Sequence, residues 1–334
     1  MPTGISWTDE TWNPTTGCTR VNPDCDHCYA FTLHDSRYAR NKTIAVEAVG
    51  VGPDAIHRAR LAGIELPFAR QYDTPFSRVQ LFPERLSRPL SWERPRRIFV
   101  DSMADLFHED VPDGFIWRVY AVALLAPSHT FQILTKRPTR RHALLGDPER
   151  AREAIRAALA GFLSGGPNRM KMPRAAANLA VAYRDRFATI PWPLPNVWEG
   201  VSAGTSELWA DMVPPLLNTP ATVRFVSCEP MRGPVDGVIH YGPDRYWDTL
   251  RGYTEEHVHE GTFVSNPTAC VDWVICGGES GERFREMDLA WVERLAERCR
   301  LAGTAFFFKQ VSGLRPGNHG PEAAWNVQEF PYAR

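Results

Sequence analysis

"RIFVDSMAD" occupies residues 97–105, and its form decides the fold reading. A short, continuous apolar run stops abruptly in polar chemistry at Asp101 and Ser102. Continuous rather than alternating apolarity marks a strand covered on both faces. The same form recurs in "FQILTKRP" (131–138), "NVWEGVSAG" (196–204), "TVRFVSCEP" (222–230), "DWVICGGESG" (272–281) and "TAFFFKQ" (304–310). Helical patterns lie between several of these runs. In "DLAWVERLAERCRLAG" (288–303) the residues Leu289, Val292, Leu295, Ala296 and Cys299 share one face. Asp288 is placed to cap that helix and Gly303 to end it. "DGFIWRVYAVALLA" (113–126) reads as a second helix stopped by Pro127. "SELWADMVPPLL" (206–217) reads as a shorter third, interrupted by its prolines. Strand–helix alternation predicts an α/β fold with a parallel sheet, open or closed into a barrel.

The chain has 334 residues, a length at which one (β/α) barrel with elaborated loops is a normal solution. We expect a single domain over 1–334, with insertions at about 31–95, 139–195 and 235–270. Hydrophobic content of 43% and charged content of 23% are those of an ordinary globular protein, so no disordered or fibrous class applies. The net charge of −1 argues against a strongly basic nucleic-acid scaffold and leaves only local patches. Three such patches stand out: Arg94, Arg96 and Arg97; Arg137, Arg140 and Arg141; Arg169, Lys171 and Arg174. Trp92 and Trp192 lie near them, a mixture suited to phosphate contact and base stacking. The opening "MPTGISWTDETW" has no basic stretch followed by an apolar run, so no secretory signal is expected. "VYAVALLA" (119–126) is too short to span a bilayer. A cytoplasmic protein without membrane contact is the expectation.

Three of the seven cysteines fall in "GCTRVNPDCDHCYA" (17–30), spaced Cys-x6-Cys-x2-Cys at Cys18, Cys25 and Cys28. In a reducing compartment a tight cluster of this kind points to metal or catalysis rather than disulfides. Structural zinc takes four protein ligands. His27 is the nearby fourth donor, but its adjacency to Cys28 makes joint ligation of one ion awkward. A [4Fe–4S] cluster held by three cysteines leaves one iron open to a small molecule. Cys276 and Cys299 read as core residues, and Cys228 and Cys270 as scattered.

The cysteine loop followed by strand–helix alternation resembles the radical S-adenosylmethionine superfamily, whose familiar spacing is Cys-x3-Cys-x2-Cys. The closing pair is the same here and the first gap is longer. The aromatic usual before the last cysteine is here His27, with Tyr29 just after it. More narrowly, "ISWTDETWNPTTGCTRVNPDCDHCYA", "FVDSMADLFHEDVP", "ILTKRP", "RFVSCEPMRGPVD", "DWVICGGESG", "FFFKQ" and a closing "WNVQEFP" are together similar to a phage-type three-cysteine-motif protein family of phages and bacteria. Many of its members read "GVSVE" where this chain reads "GVSAG" (200–204).

The resemblance implies a partial or complete parallel (β/α) barrel of radical S-adenosylmethionine type with loop and helix insertions. It implies that Cys18, Cys25 and Cys28 hold a [4Fe–4S] cluster whose open iron chelates S-adenosylmethionine. Reductive cleavage would then give a 5′-deoxyadenosyl radical that abstracts hydrogen from a substrate, with nucleic acid or nucleotide the candidate class. An electron donor such as flavodoxin or ferredoxin is the implied partner. Strand-end position makes Asp101, Ser102 and Thr135 candidates for the methionine side of the cofactor, and Ser202, Ser227 and Glu229 for its ribose. Tyr29, Gly277, Gly278 and Glu279 are further candidate cofactor contacts. Gly277 and Gly278 are placed to offer backbone N–H groups. Lys136, Arg137 and Lys309 are candidate substrate contacts. The rival readings are a zinc-stabilised nucleic-acid-binding module and a degenerate barrel that binds a partner protein.

Overall fold

The computed structural model describes residues 3–258, 261–265 and 269–331. In chain order its strands are β1 (Glu10–Trp12), β2 (Thr15–Thr16), β3 (Gln80–Leu81), β4 (Arg97–Val100), β5 (Thr130–Thr135), β6 (Val197–Ser202), β7 (Val223–Cys228), β8 (Val238–His240), β9 (Arg245–Asp248), β10 (Tyr253–Val258), β11 (Gly261–Val264), β12 (Trp273–Gly277) and β13 (Ala305–Gln310). The α-helices are α1 (Tyr29–Val49), α2 (Ala55–Leu61), α3 (Asp113–Leu125), α4 (Pro138–Leu145), α5 (Pro148–Leu163), α6 (Arg174–Asp185), α7 (Ser206–Leu217) and α8 (Leu289–Ala302).

Seven strands form one parallel sheet in the order β1-β4-β5-β6-β7-β12-β13. Each strand joins the edge left by the one before it, so the sheet curls into a half-barrel with two open edges rather than a closed ring. All six apolar runs of the sequence are strands of this sheet. The seventh, β1, pairs with β4 in the register Glu10↔Ile98.

The period of two along each strand divides the core into layers. Ile98 and Val100 pack with α3 and α5, and Val274, Cys276, Phe306 and Phe308 pack with α7 and α8. The alternate residues Phe99, Trp198, Phe225, Trp273, Ile275 and Phe307 face the helix-free side, joined by Trp7. Their rings meet edge-on or tilted, as between Trp198 and Trp273 at 5.7 Å and Trp7 and Phe99 at 4.7 Å. This aromatic plug fills the base of the half-barrel. Gly200 lies under it because a Cβ there would come within 2.3 Å of the Phe225 ring.

Helix α8 is capped as its sequence predicts. The Asp288 carboxylate accepts from Ala290 N–H, and Gly303 closes the helix at φ 71°. Helix α7 corrects the reading of an interrupted segment, since it continues through Pro214 and Pro215. A proline within a helix costs about 3 kcal/mol. Burial of Leu208, Trp209, Val213, Leu216 and Leu217, at roughly 1.5–3 kcal/mol for each large apolar side chain, outweighs that cost.

The insertions have structure of their own. Residues 31–95 carry most of α1, with α2, around a small separate core of Ala45, Ala55, Ile56, Ala59 and Leu66. Buried Asn41 ties the following loop down by donating to the Phe68 and Tyr72 carbonyls and Asp73 while accepting from Phe68 N–H. Residues 139–195 carry most of α4, with α5 and α6. The stretch 235–270, part of which lies outside the described residues, forms the antiparallel sheet β11-β10-β9-β8. No helix among the described residues is long and apolar enough to cross a membrane.

Candidate functional site

The cysteine loop lies across the C-terminal ends of the parallel strands, where strand-end polar residues converge in folds of this kind. At β4, Gly17 N–H donates to the Met103 carbonyl (3.1 Å), and the Tyr29 hydroxyl donates to the Ser102 carbonyl (2.6 Å). At β5, Arg137 donates to Cys18 Sγ (3.5 Å) and to both the carbonyl and the hydroxyl of Thr19 (3.2 and 3.0 Å). At β6, Gly204 N–H donates to Asp24 Oδ2 (3.1 Å). Arg232, after β7, donates to Asp24 Oδ1 (2.5 Å). Glu279, after β12, lies 3.2 Å from His27 Nδ1. Five successive strand ends therefore hold one loop.

Within the loop, the Asn22 carboxamide accepts from Asp24 N–H (3.0 Å) and caps the single turn Pro23–Cys25. Cys28 begins α1. Cys25 is buried, and Cys18 and Cys28 are half-buried; none of the three is in a disulfide. Burial and the nearby Asp105 carboxylate push the Cys18 thiol up to about 11, against the opposing pull of Arg137; Cys25 adds a small further rise. Among the described residues, no group of three or more His, Cys, Asp or Glu side chains is arranged to hold a metal ion. In donor type, three thiols on one pinned loop fit a thiolate-ligated iron–sulfur group.

A second cluster links Cys18 to the sheet. Asp105 is buried and accepts from Thr135 Oγ1 (2.7 Å), Lys136 N–H (3.0 Å), Phe107 N–H (3.0 Å) and Arg137 (3.1 Å). Arg137 also reaches Glu109 (3.1 Å), so its guanidinium is committed to holding the loop. Lys136 is half-buried beside it.

A third group stands directly above the aromatic plug. Glu229 accepts from Trp7 Nε1 (3.1 Å) and Ser227 Oγ (3.2 Å) and pairs with Lys309 Nζ (2.8 Å). Gly277 borders it, because a Cβ there would lie 3.1 Å from Glu229 Oε1. Ser202 is buried on the neighbouring strand β6. The structure thus brings Ser227, Glu229, Gly277 and Lys309 together, and separately gathers Thr135 and Arg137 with Cys18.

Three expectations are modified. Gly278 does not offer its N–H to a ligand: it donates to the Gln310 carbonyl (2.9 Å). Its lack of a Cβ admits the Ser312 backbone, which would otherwise stand 2.2 Å away. Asp101 is turned inward at φ 57° and accepts from Thr15 N–H (3.0 Å) and Oγ1 (2.8 Å). Burial raises its carboxyl to about 7, despite those hydrogen bonds. Glu279 is clamped by Arg285 (2.8 and 3.0 Å) as well as facing His27. Arg285 holds its carboxyl below the usual range against the cost of burial.

In two of the basic patches most of the arginines meet carboxylates. Arg96 pairs with Glu10 (2.8 Å), Arg97 with Asp9 (2.8 Å) and Arg140 with Asp113 (2.9 Å), while buried Arg141 lies 3.6 Å from Glu199. Cys228, Cys276 and Cys299 are buried in the core. Asp24, Asp105, Arg232 and Trp7 are site residues that sequence reasoning missed. Asp105 alone carried a signal, as the acid closing the 97–105 run.

The geometry defines an α/β protein with an open parallel half-barrel and a cysteine loop fixed across its C-terminal rim. A model of the family described as a protein of unknown function, DUF5131, matches residues 2–327. The chain belongs to that family. No curated protein and no solved structure matches it.

Proposed function

We propose that the chain is a radical S-adenosylmethionine enzyme in which Cys18, Cys25 and Cys28 hold a [4Fe–4S] cluster. The observation that carries this reading is the attachment of the cysteine loop to five successive strand ends, which puts three thiols where parallel sheets carry their chemistry. When bound, such a cluster supplies the electron for reductive cleavage of S-adenosylmethionine.

The chain's own residues have definable tasks. Arg137 brings positive charge to Cys18 and offsets the cost of a thiolate in a half-buried position. Asp105 holds that guanidinium by accepting from it, and Thr135 holds Asp105. Tyr29 and Asp24 fix the loop at both sides. The plug of Trp7, Phe99, Trp198, Phe225, Trp273 and Phe307 keeps water from entering through the base of the half-barrel. Above it, the Glu229–Lys309 pair offers one carboxylate and one ammonium to a zwitterionic ligand, with Ser202 and Ser227 as hydroxyl partners. Hydrogen abstraction from an organic substrate is the reaction class, and a flavodoxin- or ferredoxin-type protein is the electron donor.

The test is anaerobic reconstitution with iron and sulfide, then an assay for 5′-deoxyadenosine from S-adenosylmethionine and a chemical reductant. The product is expected from the native chain and absent from Cys25→Ala, with both folded by circular dichroism. Stoichiometric zinc, no iron and no product would replace this reading with a structural zinc loop.

A further inference from the structure

The 31–95 insertion builds a cavity on the far side of the segment that backs the cysteine loop. Its volume is about 480 Å³, within the roughly 300–1,000 Å³ usual for small-molecule sites. Helix α1 contributes Tyr38 and Lys42, α2 contributes His57 and Arg60, and the 70–78 segment contributes Arg70 and Arg78.

The charge balance of this lining is one-sided. It holds four Lys or Arg residues against two Asp, Asp54 and Asp73. Arg60 is paired with Asp73 (3.0 Å) and donates to the Phe68 carbonyl (2.6 Å), so that acid is spent on fixing the wall. Among the described residues, Lys42, Arg70 and Arg78 form no ion pair. Lys42 Nζ lies 5.9 Å from the Tyr38 ring, while Arg70 and Arg78 are exposed around the opening. This contrasts with the arginines at 96, 97, 140 and 141, each of which meets a carboxylate. Several unpaired cations around one concavity suit a phosphate group, with its several acceptor oxygens, better than a single carboxylate. Guanidinium forks are matched to phosphate oxygens.

The cavity wall is also the support of the cysteine loop. Phe76, inside the 70–78 segment, accepts from Cys18 N–H (2.9 Å). Gly17 has φ 91° and lies so close to the Arg78 carbonyl that a Cβ would approach it to 2.4 Å. Buried His34 bonds the Thr74 carbonyl through Nε2 (2.9 Å), and Asp35 accepts from Phe76 N–H (2.7 Å). A ligand in the cavity is therefore separated from the cysteines by one layer of backbone.

We infer that this cavity binds the phosphate of a nucleotide, through Lys42, Arg70 and Arg78. The binding stands on the cavity alone and does not rest on the proposed function.

The experiment is calorimetric titration of the full chain at low salt, without cluster reconstitution. The probes are adenosine 5′-monophosphate and, separately, a short single-stranded oligonucleotide. Replacing both arginines (Arg70→Gln with Arg78→Gln) is expected to weaken binding about tenfold or more, as loss of charge-assisted hydrogen bonds does. The pair Arg70→Lys with Arg78→Lys is expected to retain most of it. Binding of the mononucleotide would identify a free nucleotide as the source of the phosphate. Binding of the oligonucleotide alone, with the same loss in the Gln variant, would identify a nucleic-acid backbone. Absence of binding to both probes, or affinity indifferent to the substitutions in a folded variant, would overturn the inference. Cys25→Ala is expected to bind the probe like the native chain. Failure of the cluster reading is thus separable from failure of this one.

Discussion

Arg137 holds a guanidinium N–H 3.5 Å from Cys18 Sγ while the same nitrogen donates to buried Asp105 at 3.1 Å. One cation therefore meets two partners, the carboxylate fixed by β5 and the thiol sulfur of the cysteine loop. Removing it leaves the buried Asp105 carboxylate with only the neutral donors of Thr135, Lys136 N–H and Phe107 N–H beside a half-buried sulfur. Breaking a buried pair costs about 3–5 kcal/mol. Arg137→Gln is expected to lose stability of that order in urea unfolding. Adding Asp105→Asn should recover part of the loss, a non-additivity that a double-mutant cycle measures.

Cys25 is the most buried of the three loop cysteines, at 9% exposure, yet it belongs to a loop rather than to a hydrophobic core cluster. Cys25→Ala should change urea stability by no more than about 1–2 kcal/mol, as a small-side-chain truncation does. It should nevertheless abolish iron incorporation after reconstitution. Unfolding of the variant without iron present would mean that Cys25 is structural.

Asp101 gives a pH signature. Its carboxyl is raised to about 7 from an ordinary 3.8. Below 3.8 both folded and unfolded chains carry the proton, and the favourable contribution is fully present. As pH rises from there to about 7, the unfolded state ionises first and stability falls, by up to about 1.4 kcal/mol per pH unit. Asn tolerates the left-handed backbone and cannot ionise. Asp101→Asn is expected to flatten the stability profile between pH 4 and pH 7, as measured by urea midpoints. An unchanged slope would show that the carboxyl ionises normally.

Gly200 and Phe225 make a packing pair. A methyl at position 200 meets the Phe225 ring at 2.3 Å, and the ring is fully buried. Gly200→Ala is expected to destabilise by about 1–3 kcal/mol through overpacking. Phe225→Leu in the same chain should relieve part of this, as thermal unfolding of the single and double variants would reveal.

The sheet was legible because each of its six long strands is a short, mainly apolar run that ends in a compact polar group. "TVRFVSCEP" became β7 for that reason. Strand β1 was not legible: its three residues, Glu10 to Trp12, are too few to show a period, and they become a strand only by pairing with β4. Residues 235–270 mix Tyr246, Trp247, Glu255 and His257 with polar neighbours, and their pairing into an antiparallel sheet depends on contacts that a local window does not contain. The cysteine loop announced itself by spacing. Asp24, Arg232 and Trp7 did not, because each acts on a residue far along the chain: Asp24 meets Gly204 and Arg232, and Trp7 meets Glu229.

The most direct measurement is electron paramagnetic resonance of the reduced, reconstituted protein before and after adding S-adenosylmethionine. A [4Fe–4S] cluster held by only Cys18, Cys25 and Cys28 would leave one iron open. The account predicts an iron–sulfur signal that changes shape when the cofactor binds that iron. A signal indifferent to the cofactor, or no iron–sulfur signal in a folded protein that carries zinc, would contradict it.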